Sequence, residues 1–511
     1  MAFLAYNFIC LSPVLDDSRS WNKNIKKQVL KGNVEKAILT YINMQELGYQ
    51  ADNYTFPILL KAAGNHSSSC IGFALHGLTI KTGFCGHAFV QTALLNMYSS
   101  LGFIDDACKV FEKMPVKDVV AWNSMLDAYT SSGRMDNATE LFDSMPLKDL
   151  SSFNIMVSGY GSVGRIIPAR SIFDKIPTKD TVSWNSIILA YTNAGDMVEA
   201  QKLFNEMPAK DVITWNTMVR GYIHNQLYAM AADLFEEMQA ANVKPDFLTM
   251  TSVLSACAHL GSLERGTKAH IYAKNQCLDS SPHVTTALIV MYAKCGSILN
   301  ALEVFYKSQF KDIYCWNAII SALSLHGYGS DALELFDKMV ESCIMPDDIT
   351  FIGLLSACSH AGLVEDGCKL FNSMEKAFGI TPKREHYGCM VDLLGRAKLL
   401  NQAFQLIQAM PFEPGQSILG ALLSACVTNR DLDMGEKVMK LYFDSTSQLS
   451  DGEFMMFANL YASCGKWEEA KMWREKMNDS GIAKTAGCSI VELNGRFHQF
   501  LAGEIGIDLK P

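Results

Sequence analysis

The sequence predicts an all-α fold, a right-handed superhelical solenoid of helix-turn-helix repeats. Three observations predict it. A Trp-Asn pair recurs at 21–22, 122–123, 184–185, 215–216 and 316–317, with Phe153-Asn154 in the same place; such internal self-similarity marks a repeat array. Cutting four residues before each Asn divides 18–414 into twelve blocks of 31, 35 or 36 residues, with nothing left between them. Each block carries two apolar stripes at the helical spacing.

Taken in order, residues 1–17 precede the first block. They contain no Arg or Lys and end in two Asp, whereas a transit peptide is Arg- and Ser-rich and poor in acids. A weak or truncated targeting sequence is expected there. The blocks follow: 18–52, 53–87, 88–118, 119–149, 150–180, 181–211, 212–246, 247–281, 282–312, 313–347, 348–383 and 384–414. In 119–149, Trp122, Met125, Leu126 and Tyr129 form the first stripe, and Met135, Ala138, Leu141, Phe142 and Met145 the second. Gly133 lies between them, where a reversal needs a permissive backbone. Ala138 recurs as Ala200, Ala231, Ala301 and Ala332, so two helices can approach closely. In the 31-residue blocks Pro115, Pro146 and Pro208 follow a Met and stop the second helix. One hairpin buries too little apolar surface to fold alone; stacked hairpins share a continuous core.

Composition fits this fold. The chain is 49% hydrophobic and 19% charged, which is ordered rather than disordered. No apolar run is long enough for a transmembrane helix, so no membrane partner is expected. Its 15 Cys are spread singly without a C-x-x-C pair, and are expected to be small core residues. The net charge of -9 argues against a protein that grips nucleic acid mainly through phosphates. It leaves open a reader of single-stranded bases, which works by stacking and hydrogen bonds.

Specific wording sharpens the picture. The alternation of block lengths accompanies "NYTFPILLKA" (53–62), "LTMTSVLSACAHLGSLERG" (248–266), "ITFIGLLSACSHAGLVEDG" (349–367) and "TTALIVMYAKCGSI" (285–298). These resemble the L- and S-type motifs of plant pentatricopeptide repeat proteins of the mixed P, L and S class. "EHYGCMVDLLGRAKLLNQAFQLIQAMPFEP" (385–414) resembles the family's last S-type motif. Residues 415–484, with "SILGALLSACVTNRDLDMGEKVMKL" (417–441) and "FANLYASCGKWEEAKMWREKM" (457–477), resemble its two E motifs. Residues 485–504, with "GCSIVELNGRFHQFLAGE" (487–504), resemble the short extension after them, and 505–511 form a tail. Ala486 stands where the family usually has Pro, and Ile490 where it usually has Trp.

The resemblance implies a binder of single-stranded organellar RNA in which each repeat meets one base through its fifth and last residues. Asn22/Asp52, Asn123/Asp149, Asn154/Asp180, Asn185/Asp211, Asn216/Asp246 and Asn317/Asp347 then imply U; Thr92/Asp118 and Thr286/Asp312 imply G. Pro57/His87, Thr251/Ser281, Ile352/Lys383 and Gly388/Pro414 give no base. The implied target is 5′-U-n-G-U-U-U-U-n-G-U-n-n, with an edited C four nucleotides beyond the last S-type block. Apolar residues at the second place, such as Val120, Val182 and Ile213, are implied to sandwich the base, with Ser151 and Glu385 departing. Helix capping is a competing reason for each Asp, and backbone bonding for each Asn.

No catalytic set is evident, and neither a cofactor, a metal nor a small-molecule substrate is expected. A cytidine deaminase needs H-x-E and P-C-x-x-C; none of the 11 His is followed by x-Glu, and no C-x-x-C exists. There is also no G-x-x-x-x-G-K-S/T phosphate loop, no G-x-G-x-x-G after a strand and no G-x-S-x-G elbow. By resemblance, the chain is expected to be a specificity factor for organellar C-to-U editing that recruits a DYW-type deaminase and other editing factors. The mitochondrion is the expected site, the chloroplast the alternative. An RNA stabilisation or splicing factor and a protein-binding scaffold are the competing readings.

Overall fold

The computed structural model describes residues 18–66, 68–445, 449–482, 487–493 and 496–502. Residues 1–17, Ala486 and 505–511 lie outside them, as do the side chains of Ile490 and His498. Among the described residues there are 28 α-helices, two to each block and two to each E-like segment. The chain forms two compact units, Met1–Gln226 and Leu227–Pro511.

In the N-terminal unit the first helices are Ser18–Leu30, Thr55–Asn65, Ala88–Ser100, Val119–Ser131, Leu150–Ser162, Thr181–Asn193 and Val212–His224. Each packs on the next in a row, while second helices such as Met135–Ser144 pack on their own and the following first helix. The sequence dictates this locally. Gly133 turns the chain with φ of +74°, and Ala138 and Ala200 are fully buried. Phe142 meets Phe153 edge-to-face at 5.4 Å, as Phe111 meets Trp122, Phe173 Trp184 and Phe204 Trp215. Such a pair adds ~0.5–1.5 kcal/mol beyond its buried area. Over each of these Phe rings lies a lysine, Lys117, Lys148, Lys179 or Lys210, about 5 Å away. The same Lys148 donates to the Met145 carbonyl at 2.9 Å, closing the end of the second helix.

The C-terminal unit repeats the scheme from Phe247–Leu260 to Arg384–Arg396 in its first helices. Phe305, Trp316 and Lys311 rebuild the ring-and-cation stack. The core runs without interruption into the E-like hairpins, where Leu419, Val438, Tyr442 and Phe457 cluster with Val391 and Leu394 of the last block.

Two features depart from the helical and core expectations. Cys488–Leu493 and Arg496–Leu501 pair antiparallel, Cys488 opposite Leu501 and Leu493 opposite Arg496, so a small β-ribbon lies in the extension. The cysteines also divide: Cys257, Cys315, Cys358 and Cys426 are buried, but Cys70, Cys277, Cys343 and Cys488 are exposed. No described helix is long and apolar enough to cross a membrane.

Candidate nucleic-acid interface

Each first helix starts at, or within two residues of, the first place of its block, so the last residue of the preceding block stands where a helix cap is needed. Asp118, Asp149, Asp180 and Asp211 each accept the backbone N–H three residues on, at 2.8–2.9 Å. Asp246, Asp312 and Asp347 do the same at 2.8–3.0 Å. Asp52 lies two residues ahead of its helix's cap position, Tyr54, and accepts the Thr55 N–H at 2.9 Å. Capping therefore accounts for an Asp at the other seven places.

It does not account for the Asn. The Asn22 amide donates to Asp52 at 2.9 Å, Asn123 to Asp149 at 3.0 Å, Asn154 to Asp180 at 3.4 Å and Asn317 to Asp347 at 3.0 Å. Asn185 stands by Asp211 and helps hold its carboxyl down. The structure thus joins the fifth and last residues of one block into a side-chain couple. Partial burial pushes the carboxyls of Asp52, Asp149, Asp180 and Asp211 up, but the gathered amide and hydroxyl donors outweigh it and hold all four below their ordinary value. Asn216 belongs to the N-terminal unit and Asp246 to the C-terminal one.

The two threonine couples are built differently. Thr92 donates back to its own helix at the Ala88 carbonyl. Thr286 lies 3.2 Å from the Cys315 sulfur, whose backbone N–H caps onto Asp312. Thr92 and Asp118 do share a cleft of about 430 Å³, walled by Phe89 and Val120, the second residues of two successive blocks, and by Tyr54 and Lys61.

That second place forms an exposed apolar row on each unit. Tyr54, Phe89, Val120, Val182 and Ile213 line it in the N-terminal unit, and Leu248, Tyr314 and Ile349 in the C-terminal one. Val120 is 61% exposed although it begins a well-packed helix. Core packing therefore does not explain these side chains. Ser151 and Glu385 interrupt the row, both exposed.

A further contact was not anticipated from the sequence. The third residue of the following block is a fully buried Thr55, Ser152 or Thr350, and its hydroxyl donates to the oxygen of Asn22, Asn123 or Asn317 at 2.6–2.9 Å. A hydroxyl beside a cap is so ordinary that its type alone carries no signal.

Comparison with known proteins is consistent along the chain. The PPR repeat family model matches 210–259 and 311–360, and the PPR repeat model 92–119, 120–150, 151–180, 182–212 and 349–377. The E motif model matches 431–492. Pentatricopeptide repeat-containing protein At5g56310 of Arabidopsis thaliana is 36% identical, over 92% of this chain and 77% of its own length. At3g29230 from the same plant is 49% identical, over 94% and 80%. The maize pentatricopeptide repeat protein PPR10 superposes with a TM-score of 0.59 at 19% identity, over 92% of this chain and 74% of its own. Its complex with an 18-nt psaJ RNA element gives 0.55 at 20% identity, over 91% and 70%.

Proposed function

The chain belongs to the pentatricopeptide repeat family, and from that premise we propose that it reads single-stranded organellar RNA base by base as a specificity factor for C-to-U editing. The observation that carries the reading is the Thr92–Asp118 cleft. Two polar side chains that can meet a base edge stand between two exposed apolar side chains, Phe89 and Val120, that can cover its faces. The Asn–Asp couples repeat the same pair of places at 123/149, 154/180 and 317/347. PPR10, which shares the fold, has been crystallised with RNA.

The editing role rests on the E motif match at 431–492. Deamination is assigned to a separate protein docked on the helical tail. Organellar location is part of the proposal, with the mitochondrion as its first choice; one relative is named as chloroplastic.

A gel shift tests the RNA reading. The full-length protein should bind 5′-U-n-G-U-U-U-U-n-G-U-n-n and lose affinity when the four central U become A. Equal binding to both RNAs, or none, would favour a protein scaffold, which the net charge of -9 also suits. Sequencing organellar transcripts from a plant lacking the protein tests the editing role. Complete editing behind every matching 5′ flank would sink it; changed transcript ends or retained introns would point instead to a stabilising or splicing factor.

A further inference from the structure

We infer that the third residue of the following repeat is a positioning residue for base choice, its buried hydroxyl holding the Asn amide in one orientation for pyrimidine reading. The inference rests on the RNA-reading proposal above and deepens it.

The sequence supports it at every junction between repeats. Where the fifth residue is Asn, at 22, 123, 154, 185, 216 and 317, the third residue of the next block is Thr55, Ser152, Ser183, Thr214, Thr249 and Thr350. Where it is not Asn, the third residue is Val90, Ala121, Val284, Cys315 or His386, and a hydroxyl never appears. Capping alone would not couple these two places, because all of these residues sit at the start of a helix whatever precedes them.

Geometry supplies the reason. Thr350 lies 2.6 Å from the Asn317 oxygen and 2.9 Å from Asp347, and accepts the Asp347 backbone N–H at 3.1 Å. Its one proton cannot serve both oxygens. Asp347 already receives the Thr350 N–H and the Asn317 amide, so the Asn oxygen is the acceptor in need. At the other two couples the consequence of turning away is visible. Ser183 and Thr214 donate to Asp180 and Asp211, and the oxygens of Asn154 and Asn185 are then left buried without a partner.

With its oxygen engaged and one amide proton on the Asp, the Asn has a single free N–H to offer, beside a carboxylate acceptor. A donor next to an acceptor matches a uracil carbonyl next to N3–H. Cytosine has a bare acceptor at N3 and meets the carboxylate badly. A threonine at the fifth place has no amide to orient, and there the third-place hydroxyl is absent.

The test compares full-length protein with its Thr350→Val and Thr350→Ser variants on RNAs carrying U or C opposite Asn317. Thr350→Val should lower the U-over-C preference about three- to ten-fold, the worth of one hydrogen bond, while preference opposite Asn123 stays. Thr350→Ser should restore it. A gain-of-function pair covers misfolding of the Val variant: Thr92→Asn with Ala121→Ser should prefer U opposite that repeat more strongly than Thr92→Asn alone. Undiminished preference in Thr350→Val, or equality of the single and double variants, overturns the positioning role alone. Indifference of the unsubstituted protein to every base overturns the RNA reading, and this inference with it.

Discussion

Asn22 donates its side-chain amide to both carboxylate oxygens of Asp52, at 2.9 and 3.0 Å, across 30 residues of chain. The same Asp52 accepts the backbone N–H of Thr55, the first residue of the next first helix. One carboxylate oxygen thus ties the start of a helix to the fifth residue of the repeat before it. On the proposed reading, stability and base choice share an atom.

Substitution at Asp149 separates the two roles. Ser is as good a cap as Asp, whereas Ala costs ~1 kcal/mol. Asp149→Ala should therefore lower the melting temperature, and Asp149→Ser should nearly preserve it. Both remove the carboxylate that the Asn123 amide donates to, so both should weaken the preference for U opposite that repeat. Thermal denaturation and a gel shift read the two effects independently.

Acid should unfold the protein in two stages. Burial holds the imidazoles of His76 and His270 below their ordinary value of 6.5, each against a tyrosine hydroxyl. Their contribution is complete above pH 6.5 and is lost as pH falls below it, because the unfolded chain binds the proton first. Asp52, Asp149, Asp180 and Asp211 are likewise depressed, from 3.8. Their contribution is complete above that value and disappears as pH falls through the lowered ones. Melting temperature against pH should show both declines, and the paired substitution of His76 and His270 by Gln should shrink the first, leaving the share of His259, which burial also depresses.

Much of this was legible beforehand. The hairpins were, because Trp122, Met125 and Leu126 repeat at helical spacing and Gly133 marks the reversal. The Asp as a cap was, because caps are local. The Asn–Asp bond was not, since it closes over 26 or 30 residues and depends on how two hairpins stack. Blocks of different length nonetheless close the same couple: extra residues lengthen the second helix, as in Gly329–Glu341 against Met135–Ser144, and leave the first helices in register. The ribbon of the extension did carry a signal, an Asn-Gly pair between the β-prone Cys488–Leu493 and Arg496–Leu501. Six-residue strands in a helical chain are easily passed over.

Close approach of first helices gives a steric prediction. A methyl on Gly161 would stand 2.6 Å from the Ala190 Cβ, backed by helix rather than by a mobile side chain. Gly161→Ala should cost ~1–3 kcal/mol through forced separation. Base preference opposite the Asn154–Asp180 couple should weaken in the same variant, while Gly86→Ala, with open space around it, should change neither. Chemical denaturation beside a gel shift checks this.

Salt should weaken RNA binding only mildly. A protein that neutralises six to ten phosphates loses about 10³–10⁵ in affinity between 50 and 200 mM salt. Here the net charge is -9, and the cations nearest the couples, such as Lys148 and Lys179, are committed to a Phe ring and a helix carbonyl. Binding carried mainly by stacking and edge contacts should lose clearly less than that over the same range. A steep slope would show phosphate contacts to be the main source of affinity.

The apolar row makes the last prediction, and it is a gain rather than a loss. Val120 and Val182 stand 61% and 55% exposed at the second place of their repeats. Between them Ser151 occupies the same place, also exposed. If these side chains cover base faces, the serine leaves two faces under-packed. Ser151→Val adds two carbons where nothing must move to receive them, and it lies outside the buried core. Folding stability should stay within about 0.5 kcal/mol, as for other surface substitutions. Burying the added methyls against bases is worth ~0.5–1 kcal/mol, so affinity for the target RNA should rise roughly two- to five-fold. A helix-start role would shift melting temperature and leave affinity unchanged, so the two measurements together decide between packing within the protein and stacking on RNA.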